Sequence, residues 1–155
     1  MKPLRLYLDT SVFGGCFDKG FIEDSKKIFE AASEGRVRIV LGELVALELK
    51  GAPTNVQGLM KSIPSEYVEE VDFNPQAREL QKAYLEAGIL TPKSITDAGH
   101  VAMATVHRAD AIVSWNFVHI VQLEKMKLYN KINLQNGYGF LEIVSPKEVL
   151  NDEEI

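Results

Sequence analysis

The sequence predicts an α/β fold in which a central, mainly parallel five-stranded sheet is covered on both faces by helices. Three observations lead there. Short runs rich in Val, Ile and Leu alternate along the chain with segments of helical period, the order expected of successive βα units. The runs are apolar nearly throughout, as strands buried on both faces must be. No linker, repeat or low-complexity stretch interrupts the alternation, so residues 1–150 are expected to form one domain, followed by an acidic tail at 151–155. With 155 residues, 46% hydrophobic and 25% charged, the chain is long and apolar enough for one sizeable core.

The elements follow in order. Leu4–Leu8 reads as a short strand ending at Asp9, and a Phe/Gly-rich turn follows over Phe13–Phe17. Glu23–Ser33 carries helical spacing through Ile28, Phe29 and Ala32, and Gly35 stops it. Val37–Leu41 is a second strand, Glu43–Lys50 a helix halted by Gly51 and Pro53, Asn55–Lys61 a further short helix and Val68–Val71 a third strand. Pro75–Ala87 is amphipathic, with Ala77, Leu80, Ala83, Tyr84 and Ala87 on one stripe and Gly88 at its end. Ser94–His107 is a nearly all-apolar helix, expected to pack under the sheet. Ala111–Ser114 makes the fourth strand, Ile120–Lys131 a long helix and Leu141–Val144 the fifth strand, after which Pro146 opens a last helical turn.

Composition narrows the function classes. The longest apolar runs fall well short of a membrane span, and the start lacks the apolar stretch of a secretory signal, so a cytoplasmic location without membrane association is expected. The lone Cys16 makes no internal disulfide and is a poor basis for a thiolate metal site. A net charge of −5 argues against nucleic-acid binding by the surface as a whole. A local patch remains: Lys125, Lys127 and Lys131, interleaved with Tyr129 and followed by Tyr138, could follow a phosphate backbone and offer stacking surfaces, or simply solvate the outer face of a helix.

In parallel sheets ligands collect outside the carboxyl ends of the strands, so chemistry is expected just after Leu8 and Val113. Asp9 is placed to ligate a hard cation, with the hydroxyls of Thr10 and Ser11 in the same turn; alternatively Asp9 or Thr10 caps the next helical turn. Glu43 and Glu48 lie five residues apart, about 140° around a helix, so they do not face one site. Glu48 shares the face of Leu44 and Val45 and is expected to turn inward, where a carboxylate needs a cation, a base or a raised pKa, or else to be a solvated helix end paired with Lys50 or a neighbouring lysine; Glu43 suits a helix N-terminus. Asp97 and His100, at i and i+3, share a helix face, although Ser94 and Asp97 also resemble a capping box and an interior His more often makes structural hydrogen bonds than takes part directly. His107 and His119 have no ligand-like spacing. Asn116 follows the fourth strand and offers a neutral carbonyl oxygen to a cation or its water, or is a plain turn residue; Asp110 precedes that strand and belongs to the opposite sheet edge.

Taken in order, these segments resemble PIN-domain nucleases, the family that includes the VapC-like toxin ribonucleases of toxin–antitoxin pairs. The likeness rests on Leu6-Tyr7-Leu8-Asp9-Thr10-Ser11, Glu48-Leu49-Lys50-Gly51, Asp97-Ala98-Gly99-His100-Val101-Ala102, Ile112-Val113-Ser114-Trp115-Asn116-Phe117 and Ile143-Val144-Ser145-Pro146-Lys147-Glu148. It implies a three-layer α/β/α sandwich, Mg²⁺ or Mn²⁺ at clustered acids, and hydrolysis of RNA phosphodiester bonds. By position, Asp9, Glu48 and Asp97 would be the acidic ligands and Asn116 a fourth site residue, supported by Thr10, Ser11, His100 and Ser114. The family often carries Asp where this chain has Asn116, which weakens a second metal. A cognate antitoxin and a homodimer are further implications, and the competing reading is a non-catalytic PIN-like module that binds RNA or protein. Phosphoryl transfer with Asp9 as nucleophile is disfavoured, since neither a Gly-rich phosphate loop nor a second Asp two residues after Asp9 is present.

Overall fold

Five strands, β1 (Leu4–Leu8), β2 (Val37–Gly42), β3 (Val68–Val71), β4 (Ala111–Val113) and β5 (Glu142–Val144), form one sheet in the order β3-β2-β1-β4-β5, and each pairing is parallel. The computed structural model describes residues 2–88 and 94–149; the acidic tail at 151–155 lies outside the described residues. Central strands take the uniformly apolar sequences: Leu6, Tyr7 and Leu8 in β1 and Ile112 and Val113 in β4 are fully buried. The edge strand β3 carries Glu69 and Glu70 exposed, charges that discourage pairing with a further strand.

The helices are α1 (Thr10–Gly15), α2 (Ile22–Ser33), α3 (Glu43–Lys50), α4 (Thr54–Gln57), α5 (Pro75–Glu86), α6 (Ile95–Val106), α7 (Leu123–Gln135) and α8 (Pro146–Val149), with 3-10 turns at Gly58–Ser62 and Ser65–Tyr67. From β1 the chain winds outward through β2 to β3, then returns to the other side of β1 for β4 and β5. Right-handed crossovers in opposite directions place helices on opposite faces. Thus α2 packs with α8 on one face, while α5 packs with α6 and α7 on the other, giving the three-layer sandwich. The sheet's switch point lies between β1 and β4.

Two segments differ from the sequence reading. The expected Phe/Gly-rich turn is largely helix α1, because a helical path from Thr10 buries Val12 and Phe13 completely. The long helix expected from Ile120 begins instead at Leu123. Ile120 and Val121 are buried, but their N–H groups donate to the Asn116 carbonyl at 3.2 and 2.8 Å and so belong to the turn after β4. Gln122 then caps α7 by accepting from the Lys125 N–H at 3.1 Å. At its far end α7 continues to Gln135, since Asn130 and Asn133 face inward. Asn130 exchanges hydrogen bonds with Leu141, its Oδ1 accepting from Leu141 N–H at 2.7 Å and its Nδ2 donating to Leu141 O at 3.0 Å. Asn133 accepts from the Tyr84 hydroxyl and donates to Thr105.

The amino edge of the sheet is fixed by Arg5. Its guanidinium pairs with both Glu69 carboxylate oxygens at 2.8 and 2.7 Å and donates to the carbonyls of Arg108 and His107. Asp110, on this same edge, accepts from the Arg5 N–H at 2.7 Å. No helix among the described residues is long and apolar enough to cross a membrane.

Tyr7 needs room that only glycine leaves. A Cβ added at Gly42, on the neighbouring strand, would lie 2.3–2.7 Å from the Tyr7 ring and hydroxyl. Gly42→Ala is therefore expected to destabilise the protein by about 1–3 kcal/mol in denaturant unfolding. Gly14→Ala, where a Cβ meets nothing within 4 Å, is expected to be neutral or stabilising in the same assay.

Candidate active site at the sheet switch point

Asp9 stands where β1 ends, and its N–H still donates to the Val113 carbonyl of β4 at 3.2 Å. The residue is only 4% exposed. Each carboxylate oxygen accepts one hydroxyl: Ser11 Oγ donates to Oδ1 and Ser114 Oγ to Oδ2, both at 2.5 Å. The hydroxyls are themselves oriented, since the Trp115 N–H donates to Ser11 Oγ and the Asn116 N–H to Ser114 Oγ, each at 2.9 Å. Trp115 is in turn fixed by its Nε1–H, which donates to the buried Ser25 hydroxyl at 2.8 Å, and by Phe21, whose ring centroid lies 4.5 Å away. Burial pushes the Asp9 carboxyl above its usual range; the two serine hydroxyls and His100 oppose this, and the Asp97 charge adds to it.

Glu48 does not turn fully inward as its helix face suggested. On the eight-residue α3 the buried positions are Val45 and Leu49, which leaves the Glu48 side chain 41% exposed at the rim. Its Oε1 nevertheless reaches His100 Nε2 at 2.7 Å, and the other ring nitrogen, Nδ1, meets the Tyr7 hydroxyl at 2.8 Å. The His100 hydrogen bond holds Glu48 below the usual carboxylate range against a partial desolvation. The Thr10 hydroxyl pulls in the same direction, although Oγ1 itself is buried and meets no partner in hydrogen-bonding geometry. Glu43 is engaged elsewhere, its Oε1 accepting from the Phe73 N–H at 3.2 Å.

Asp97 lies in the first turn of α6, partly buried, and Ser94 does not cap that helix through its side chain. Desolvation raises the Asp97 carboxyl, with His100, His119 and the Asn116 amide opposing and Glu48 adding like charge. His119, which spacing alone set aside, is thus close enough to act on Asp97. Asn116 takes the turn role rather than offering an oxygen: Oδ1 accepts from the Val118 and His119 N–H groups at 3.2 and 2.9 Å. Both lone pairs of a carbonyl oxygen are then used, which leaves the amide N–H side for Asp97.

Asp9, Asp97, Glu48 and His100 therefore share one electrostatic neighbourhood, but the three carboxylates do not close on a single point. Among the described residues no three His, Cys, Asp or Glu side chains are spaced to hold a metal ion. The donor chemistry still suits a hard cation. Two oxygen-only acids, Asp9 and Asp97, are disfavoured in their charged forms by burial, and Thr10 Oγ1, next to Asp9 in sequence, is an orphaned buried oxygen. Mg²⁺ and similar ions are commonly carried by one or two carboxylates and otherwise by water and substrate.

The remaining sequence candidates are the lysines and Tyr129 of α7, His107 and Cys16. Lys127 and Lys131 are exposed on α7 and Lys125 is half-buried in its first turn. Tyr129 is no stacking surface: it is fully buried, its ring 4.8 Å from Tyr84 and its hydroxyl donating to the His119 carbonyl at 3.1 Å. His107 Nε2 contacts the Asp72 carbonyl at 2.7 Å, away from the site. Cys16 is buried and its thiol is pushed up to about 11 by desolvation, which makes it inert as a nucleophile.

No family model and no curated protein matches the chain. Solved structures do. A chain of VapBC2 from Rickettsia felis, bound to a DNA fragment from their promoter, is 13% identical with a TM-score of 0.56, covering 92% of this chain and 98% of that one. A chain of FitAcB from Neisseria gonorrhoeae is 10% identical with a TM-score of 0.58, covering 93% and 99%. A chain of FitAB bound to the IR36 DNA fragment is 9% identical with a TM-score of 0.58, covering 95% and 99%. The fold is the VapC-like PIN fold.

Because desolvation dominates at Asp9, its folded-state pKa lies above the unfolded value, so the native state binds the extra proton and is favoured at low pH. The penalty grows as pH rises from the unfolded pKa to the raised folded one and is complete above it. Asp9→Asn is accordingly expected to raise the melting temperature at pH 7 in EDTA by about 2–4 °C. The gain should shrink as the pH is lowered through the carboxylate range, which parallel thermal melts would follow.

Proposed function

We propose that this chain is a metal-dependent endoribonuclease that hydrolyses RNA phosphodiester bonds, and the toxin of a toxin–antitoxin pair. The observation that carries the reading is the buried, hydroxyl-held carboxylate of Asp9 at the switch point of a PIN-like sheet, with Asp97, Glu48 and His100 around it. A hard divalent cation, Mg²⁺ or Mn²⁺, would be held by Asp9 and Asp97, with Glu48 to one side; when bound it would supply water activation and neutralise charge at phosphorus. Ser11 and Ser114 hold Asp9 in place and favour its charged form against burial, and His100 restrains Glu48. Thr10 supplies a spare oxygen, and Asn116 shapes the loop that carries Ser114 and Trp115. Lys125, at the start of α7, is better placed than Lys131 to meet an RNA phosphate, the two being about 9 Å apart along the axis.

The likeness to VapBC2 and FitAB chains supports the toxin role and a cognate antitoxin, and a homodimer is part of the same proposal. Phe117, Val118 and Leu123, all substantially exposed, give such a protein partner an apolar surface next to the site. A second reading, a non-catalytic PIN-like module binding RNA or protein, is favoured by one observation: the oxygen of Asn116 is spent on its own turn.

Purified protein is expected to cut mixed RNA with Mn²⁺ and to stop in EDTA. Asp9→Asn and Asp97→Asn should each lower cleavage by about a hundredfold or more while keeping the fold by circular dichroism. Undiminished cleavage in both variants would transfer the activity elsewhere, and an inert wild type would favour the binding module.

A further inference from the structure

The line Tyr7–His100–Glu48 runs from the core to the rim of the site, and the proposed reaction leaves its first member without a role. His100 is 2% exposed and both ring nitrogens are engaged, Nδ1 with the Tyr7 hydroxyl at 2.8 Å and Nε2 with Glu48 at 2.7 Å. Tyr7 is completely buried and keeps its proton, since desolvation and the nearby Asp9 and Glu48 charges all disfavour a phenolate. A neutral imidazole has one donor and one acceptor nitrogen, and the hydrogen bond made by one fixes the role of the other. A phenol that donates to Nδ1 leaves the hydrogen on Nε2, aimed at the Glu48 carboxylate.

Packing builds this line into the fold. Gly42 leaves the space that the Tyr7 ring fills. At Gly99 an added Cβ would lie 2.6 Å from Leu44 Cδ1 and 3.1 Å from Gln81 Nε2, so glycine there lets α6 press close to α3 and brings His100 against Glu48. The Tyr7 and His100 rings lie with centroids 5.8 Å apart at 56°, a tilted contact that leaves the in-plane Nδ1 lone pair free for the hydroxyl.

We propose that Tyr7 is a positioning residue: through its hydroxyl it locks His100 in the Nε2–H tautomer, and His100 in turn fixes the Glu48 carboxylate at the rim of the Asp9–Asp97 site. The relay itself rests on geometry, and its consequence for cation binding rests on the nuclease reading. Orienting partners of this kind behind a metal-binding carboxylate affect affinity by about 10–100-fold in other systems.

Long-range proton–nitrogen correlation spectra of the ¹⁵N-labelled full chain test the relay without any metal. Wild-type His100 is expected to show an acceptor-type Nδ1 and a protonated Nε2, and Tyr7→Phe to mix the two tautomers. A hydrogen on Nδ1 in the wild type, or identical spectra in the variant, overturns the proposal. Calorimetric Mn²⁺ titration tests the consequence. Tyr7→Phe should weaken Mn²⁺ binding about tenfold, but should add nothing in a Glu48→Gln background, because both changes break the same line. An equal loss in both backgrounds overturns action through Glu48. A wild type that binds no Mn²⁺ and cuts no RNA defeats the nuclease reading instead, and the spectra still decide the relay.

Discussion

A carboxylate held out of water at the end of a central strand is the constraint around which the rest of the site is built. Leaving such a charge without donors would cost several kcal/mol, whereas each hydrogen bond to it returns about 1.5–3 kcal/mol. The chain meets this with one hydroxyl from each side of the switch point, Ser11 from α1 and Ser114 from the end of β4. Those hydroxyls then dictate the backbone around them. Each accepts a main-chain N–H from the residue pair Trp115–Asn116, so the loop after β4 is shaped by its attachment to Asp9. That attachment also explains why Ile120 and Val121, apolar enough to begin a helix, are drawn into a turn.

Like charges gathered at one sheet edge would repel, and the structure separates them by giving each acid a different partner. Asp9 has serine hydroxyls, Glu48 has the imidazole of His100, and Asp97 has the Asn116 amide with two histidines nearby. The consequence is visible in opposite perturbations, Glu48 favouring its charged form while Asp9 and Asp97 are held back from theirs by burial. Packing enforces the separation, because Glu48 sits on a short helix whose buried face belongs to Val45 and Leu49.

The fold was legible in the sequence because central parallel strands have no polar face to hide in. Leu6 to Leu8 and Ile112 to Val113 read as strands, and the positions following them marked the site edge. What escaped was information carried by partners distant in the chain. Tyr7 looks like one more core aromatic, and only its contact with a histidine 93 positions away gives its hydroxyl a role. Asn130 and Asn133 carry no apolar signal of burial, yet they face inward to satisfy Leu141, Tyr84 and Thr105. Tyr129 suggested a stacking surface among lysines, while the inward face of α7 buries it. His119 had no motif spacing because a loop, not a helix face, brings it near Asp97.

The bond from Ser114 to Asp9 spans 105 positions, which gives the site a place in time as well as in space. On the ribosome, β1 and its acid emerge first, and the strand that shelters them is made only after β2, β3 and the helices between have appeared. Contacts of such long range also form late in folding, because a large loop must close before they are made. A nascent polypeptide that has not reached Ser114 therefore carries Asp9 without one of the two hydroxyls that hold it.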